Sequence, residues 1–166
     1  MQIDNNVLIV NTGGTFNKIY DPIKGELLVD KNSKALDELA SKWLYEFNII
    51  NILGKDSLEL DNQDREMILN TINKSSYKKI IVVHGTDTMH LTAEYLENAK
   101  IDKKIILTGT MVPFSIDPVE ASANLASSFG YLENLNKNGL YIVINGLFGK
   151  HSNIIKDRKN GKFIIR

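Results

Sequence analysis

The 166-residue sequence contains no cysteine. Disulfides, thiolate nucleophiles and cysteine-type zinc sites are therefore excluded together, and a reducing, cytoplasmic setting is the expected location. It also lacks a charge excess, with 20 Lys+Arg set against 20 Asp+Glu. Proteins that grip a polyanion normally carry a basic surplus, so nucleic acid is not an expected partner. No apolar run approaches the ~18 residues of a membrane span. The start, MQIDNNVLIV, places Asp4 ahead of a short apolar run where an export signal would carry basic residues. Neither membrane insertion nor export is expected. Internal repeats, long linkers and low-complexity tracts are missing as well. The length suits a single domain, 1–166, with one substantial core.

What is present is a series of short apolar runs rich in β-branched residues. They are Val7-Leu8-Ile9-Val10, residues 48–53, 79–83, 104–107 and 140–144. Runs that are apolar throughout, rather than alternating, suit strands covered on both faces in a parallel sheet. Helical patterns lie between them. Residues 33–46 begin with Ser33 as a possible N-cap and space Leu36, Leu39, Ala40 and Trp43 helically, with Phe47 next on that face, so Trp43 and Phe47 read as core. Residues 61–75 offer Asp61 or Asn62 as a cap, and residues 88–98 and 118–136 complete an α/β alternation. The last helix stops near Asn138-Gly139. Residues 16–29, with Asp21-Pro22 and Lys24-Gly25, predict a β-hairpin flap after the first strand, and the tail after Asn145 predicts a closing hairpin.

In an open parallel sheet, ligands bind beyond the carboxyl ends of the strands. The first run is followed by Asn11-Thr12-Gly13-Gly14-Thr15 and the second by Gly54-Lys55-Asp56-Ser57. The third leads into His84-Gly85-Thr86-Asp87-Thr88-Met89 and the fourth into Thr108-Gly109-Thr110-Met111. Each cluster alone is also what helix N-caps look like. Together they crowd hydroxyls, carboxylates and glycines onto one rim. No Gly-x-Ser-x-Gly elbow, Gly-x-Gly-x-x-Gly turn or Gly-Lys-Thr loop is present, and His84 and His90 lack metal-site spacing. No metal or cofactor is expected. The remaining option is a hydroxyl activated by side-chain proton transfer, with Asp87 and Lys103, a lysine at the base of the fourth strand, as a possible network.

At these residues the sequence resembles the bacterial-type L-asparaginase family. Thr12-Gly13-Gly14-Thr15 matches its first signature and residues 84–89 its second, while Asp102-Lys103, six residues ahead of Gly109, is similar to the segment supplying the family lysine. The resemblance implies a doubly wound, mainly parallel sheet of Rossmann or flavodoxin type with helices on both faces. It implies Thr15 as the nucleophile on a side-chain amide, Tyr20 in the flap as its proton partner, and Thr86, Asp87 and Lys103 as a second catalytic group. Asp56 and Ser57 would grip the α-amino and α-carboxylate groups, with Gly14 and Gly85 beside them and Asp87 also facing the ammonium. Full-length relatives carry a smaller second domain, so this chain is expected to be a short, single-domain relative.

The pattern also departs from the family. Leu58 replaces a polar residue, Val112-Pro113 stands where Arg-Pro is common, and Glu120-Ala121-Ser122 replaces Asp-Gly-Pro. Two functions follow: hydrolysis of asparagine or a related small amide, or amino-acid binding without catalysis. A flavodoxin-like nucleotide or phosphate binder rests on the sheet architecture alone. The resemblance implies a homodimer or higher homo-oligomer. The basic tail, Lys150, Lys156, Arg158, Lys159, Lys162 and Arg166, reads as a solvated terminus at least as well as an anion site.

Overall fold

The computed structural model describes residues 6–166. The chain enters strand β1 (Val7–Gly13), which is buried along its whole length. A 3-10 turn at Thr15–Asn17 leads into a hairpin of β2 (Lys18–Asp21) and β3 (Glu26–Val29), in which Tyr20 pairs with Leu27. Then come α1 (Lys34–Lys42), β4 (Asn48–Lys55), α2 (Asn62–Lys74), β5 (Lys79–Val83) and α3 (Met89–Asn98). They are followed by β6 (Lys104–Thr108), α4 (Pro118–Asn134) and β7 (Gly139–Ile144). Strand β8 (Leu147–Lys150) folds back on β7, and β9 (Ile154–Asp157) pairs with β10 (Lys162–Ile165) in a separate hairpin.

The main sheet has the order β4-β1-β5-β6-β7-β8, parallel except for the antiparallel edge strand β8. The two-residue pleat explains why its strands are apolar throughout. Ile9, Ile81, Val83, Ile106 and Val143 face Leu36 and Leu39 of α1 and Leu125 and Leu132 of α4. Leu8, Val10, Val82, Leu107 and Ile142 face Ile68 and Ile72 of α2 and Ala93 and Leu96 of α3. The doubly wound α/β expectation is met, and the flap hairpin lies where the turn dipeptides put it.

One crossover has the wrong hand. From β1 the chain moves outward to β4 through α1, then back across β1 to β5 and β6 through α2 and α3 on the opposite face. Those three units share one hand. The β6-α4-β7 unit continues in the same direction as β5-α3-β6, yet α4 packs on the α1 face, so its hand is the reverse. Roughly 98% of such units are right-handed, which identifies β6-α4-β7 as left-handed. Its entry segment therefore leaves the carboxyl end of β6 toward the face opposite α3. The outward and returning paths diverge between β1 and β5, which makes their carboxyl ends the topological switch point.

Helix α1 is shorter than its periodicity predicts. Ser33 adopts a left-handed conformation without a capping bond, and Leu44, at φ 51°, turns the chain away after Trp43. The reversal brings Trp43, Tyr45 and Phe47 against Phe129 of α4, with ring centroids 5.5 to 6.4 Å apart. Aromatic packing outweighs one further helical turn here. Helix α2 starts at the expected cap: the Asp61 carboxylate accepts from the N–H groups of Gln63 and Asp64. The tail forms β8 and a separate β9-β10 hairpin, whose Ile154 and Phe163 join the α2/α3 core.

Candidate active site at the switch point

Three strand-end loops touch through their backbones. The Thr12 hydroxyl donates to the carbonyl of Val83 at 2.8 Å, and the Gly14 N–H donates to the carbonyl of Lys55 at 2.9 Å. These bonds tie the end of β1 to β5 and β4. Gly14 has φ 72°, and a Cβ on it would lie 2.4 Å from the Gly85 nitrogen. A Cβ on Gly85 would in turn lie 2.6 Å from the Ser57 side chain. Only hydrogen at both positions permits this approach. Ser57 is buried, and among the described residues its hydroxyl has no hydrogen-bond partner.

His84 fixes the second loop from below. Its Nδ1 lies 2.7 Å from the carbonyl of Gly85 and its Nε2 2.8 Å from the Thr92 hydroxyl. A carbonyl can only accept, so Nδ1 carries the proton and Nε2 accepts from Thr92. Complete burial pushes the imidazole down to about 4, which keeps it neutral. It shapes the loop.

Beyond Gly85, Lys156 of β9 reaches over the crevice. Its Nζ donates to the Thr86 hydroxyl at 2.8 Å and to Asp87 Oδ1 at 2.9 Å. The Thr86 hydroxyl also contacts the Met111 sulfur at 3.5 Å, closing a chain of contacts from β9 to the loop after β6. Arg158 sits on the same carboxylate, with Nη1 3.1 Å from Asp87 Oδ1 and Nη2 donating to the Asp87 carbonyl at 2.8 Å. Thr15, partly exposed, opens the 3-10 turn next to Gly14, and among the described residues no group hydrogen-bonds its hydroxyl. The arrangement presents one free hydroxyl and, across the Gly14–Gly85 contact, a second hydroxyl held by an amine and a carboxylate. Among the described residues no three His, Asp or Glu side chains are grouped to hold a metal ion.

The family model described as asparaginase, N-terminal, matches residues 6–159. The chain belongs to the asparaginase family. It is 26% identical over 155 residues to a probable periplasmic L-asparaginase of Haemophilus influenzae, covering 84% of this chain and 42% of that protein. It is 28% identical over 153 residues to the glutaminase-asparaginase of Acinetobacter glutaminasificans, covering 85% and 46%. The structure of the thermostable L-asparaginase from Thermococcus kodakarensis superposes with a TM-score of 0.81 at 22% identity, over 96% of this chain and 50% of that one. This asparaginase-family chain thus spans about half the length of the relatives it matches.

Lys103 is the correction to the sequence reading. It stands just before β6, beside the amino end of β5, where Lys104 pairs with Lys79. Five strand steps of ~3.3 Å, roughly 16 Å, separate it from the rim that carries Asp87. Its Nζ instead donates to the carbonyls of Ile72 and Ser75 at 2.6 Å each, closing the carboxyl end of α2. Lys156 is the lysine that reaches Thr86 and Asp87. The sequence contains one signal for this: among the lysines of the basic tail, Lys156 directly follows the apolar pair Ile154-Ile155 inside a strand. Reading that tail as a solvated terminus hid it.

The other expected residues divide. Gly14, Thr15, Ser57, Gly85, Thr86 and Asp87 lie on the one rim. Asp56 borders it but is engaged: Lys18 Nζ of the flap lies 2.7 Å from Asp56 Oδ2. Burial by itself would raise the Asp56 carboxyl, yet the Lys18 ammonium and the N–H groups of Leu58 and Ser57 hold it below the usual range. Tyr20 lies on β2 and is 63% exposed, with Leu58 similarly exposed across the flap. Glu120 keeps a structural carboxylate role, accepting from the N–H groups of Met111 and Val112 at 2.9 Å each.

Proposed function

We propose that this chain hydrolyses the side-chain amide of L-asparagine or a related small amide, releasing ammonia. The observation that carries the reading is Lys156 bridging Thr86 and Asp87 in the switch-point crevice, one backbone contact away from the free hydroxyl of Thr15. Catalysis is preferred to amino-acid binding alone because the relatives are named for amide hydrolysis. Activity of this span by itself is part of the proposal.

In the first step the Thr15 oxygen attacks the amide carbon, its proton passes to the departing nitrogen through a partner such as Tyr20, and the C–N bond of the adduct breaks to release ammonia and leave an acyl-Thr15 ester. In the second, water adds to the ester carbon, its proton returns to Thr15, and the acid is freed. The Thr86, Asp87 and Lys156 group serves proton movement. Lys156 and Asp87 hold the Thr86 hydroxyl in one hydrogen-bonded chain, along which a proton released by the attacking water can pass on its way to the Thr15 oxygen. Gly14, Asp56, Ser57 and Gly85 line the subsite for the non-reacting end of the substrate.

Thr15→Ala tests this directly. Ammonia release from L-asparagine should fall to background while the thermal midpoint is kept; undiminished turnover would discard the assignment of Thr15. A homodimer or higher oligomer belongs to the same proposal, supported by exposed Tyr20, Leu27 and Leu58 around the crevice. Light scattering showing a monomer at working concentration would refute it. A cytoplasmic location, resting on the cysteine-free composition, is checked by fractionation, since the Haemophilus relative is named as periplasmic.

A further inference from the structure

The charges around the crevice are unevenly matched. The carboxylates near the strand ends are already engaged: Asp56 with Lys18, Glu59 with the Asp56 N–H, Glu120 of α4 with two backbone N–H groups, and Asp87 with both Lys156 and Arg158. At Asp87 itself two cations, Lys156 and Arg158, meet a single carboxylate, a local surplus of one positive charge. Lys156 and Arg158 both bind Asp87 Oδ1, so an ammonium arriving at the remaining oxygen would meet two cations on the same carboxylate. The buried Ser57 hydroxyl beside Gly85, without a partner among the described residues, is an open donor toward an anion. Such a site suits a carboxylate and disfavours a free α-ammonium.

We propose that Arg158 is a specificity-determining residue that directs the site toward small carboxylates whose amide lacks a free α-ammonium, with succinamate as the type of substrate. The inference rests on the hydrolytic reading above and narrows its substrate class. Arg158 acts by neutralising Asp87 and by leaving its own guanidinium, 59% exposed at the side chain, to face the incoming carboxylate. It carries no step of bond breaking. Its double grip on the Asp87 carboxylate and carbonyl holds the guanidinium at the rim despite that exposure.

The test is titration calorimetry of the full chain with the two product acids, succinate and L-aspartate, which needs no turnover. Succinate should bind about tenfold tighter than L-aspartate, and Arg158→Ala should shrink that ratio to about twofold or reverse it, with Arg158→Lys restoring part of it. Equal or tighter binding of L-aspartate, a ratio unchanged in Arg158→Ala, or binding of neither acid would overturn the proposal. Ammonia release from succinamate and asparagine, with Thr15→Ala beside it, separates the two readings. Release lost in Thr15→Ala with an unchanged binding ratio keeps hydrolysis and discards the role of Arg158. The expected ratio without any release does the reverse.

Discussion

Lys156 and Thr86 are 70 residues apart in the chain, yet the lysine amine lies 2.8 Å from the threonine hydroxyl. The contact exists because the β9-β10 hairpin packs on the core through Ile154 and Phe163 while the intervening Lys156 points to the crevice. Lys103 makes the opposite use of the same side chain, at the other end of the sheet. Lys156→Met should therefore lower amide turnover by at least ~100-fold, the usual worth of a positioned proton-transfer group. Lys103→Met should leave turnover per folded molecule unchanged but cost about 1–3 kcal/mol in urea unfolding, because two inward carbonyls lose their donor. Turnover lost in Lys103→Met and kept in Lys156→Met would reverse the assignment.

Glycine substitutions separate close approach from ordinary helix propensity. A methyl on Gly85 would meet Ser57 at 2.6 Å, whereas one on Gly130 of α4 meets nothing within 4 Å. Gly85→Ala is expected to destabilise by about 1–3 kcal/mol and to disturb the crevice, and Gly130→Ala to stabilise by about 0.5–1 kcal/mol. Thermal midpoints of the two variants check the pair. A Gly85→Ala midpoint at or above that of the parent would deny the interlock of the loops.

The left-handed unit is locked to the rim by one amide. Asn124 of α4 donates to the carbonyl of Gly109 at 2.8 Å and accepts from the N–H of Asn145 at 2.7 Å. Asn145 itself has φ 50°, a conformation asparagine tolerates better than most residues. Asn124→Leu would leave the buried Gly109 carbonyl and the Asn145 N–H without this partner at a cost of about 1–3 kcal/mol. Denaturant melts of that variant give the measurement, and a loss below about 1 kcal/mol would contradict it.

His84 makes stability depend on acid. Its folded value of about 4 lies below the ordinary 6.5, so between those values the unfolded chain binds a proton that the folded chain refuses. Its contribution is complete above pH 6.5, declines as the pH falls toward 4, and changes no further below that. The loss by pH 4.5 should be about 2–3 kcal/mol. His84→Asn should remove that part of the slope, read from unfolding free energies at pH 7.5 and 4.5. An identical slope in the variant would mean that His84 is protonated in the folded state.

The sheet was legible in the sequence because its strands are buried on both faces, and that burial demands unbroken apolar runs such as Lys79–Val83, whose bounds agree with the expectation. The clusters at Thr12–Thr15 and His84–Met89 were legible for a related reason: short loops between strand and helix keep glycine, hydroxyl and carboxylate adjacent in sequence. The shortened α1 was not, since Trp43 carries helical spacing whether or not the helix continues, and its contact with Phe129 depends on a residue far along the chain.

By itself, then, the sequence determined the α/β class, the flap, and the residues contributed by each strand end, all through local pattern and burial period. Only the tertiary structure decided which lysine reaches Thr86 and Asp87, which face α4 covers, and how Arg158 and Lys18 occupy the carboxylates. Those are matters of distance between segments remote in the chain. A lysine carries no local mark of which end of a sheet its amine will reach; strand direction and the packing of the final hairpin settle that.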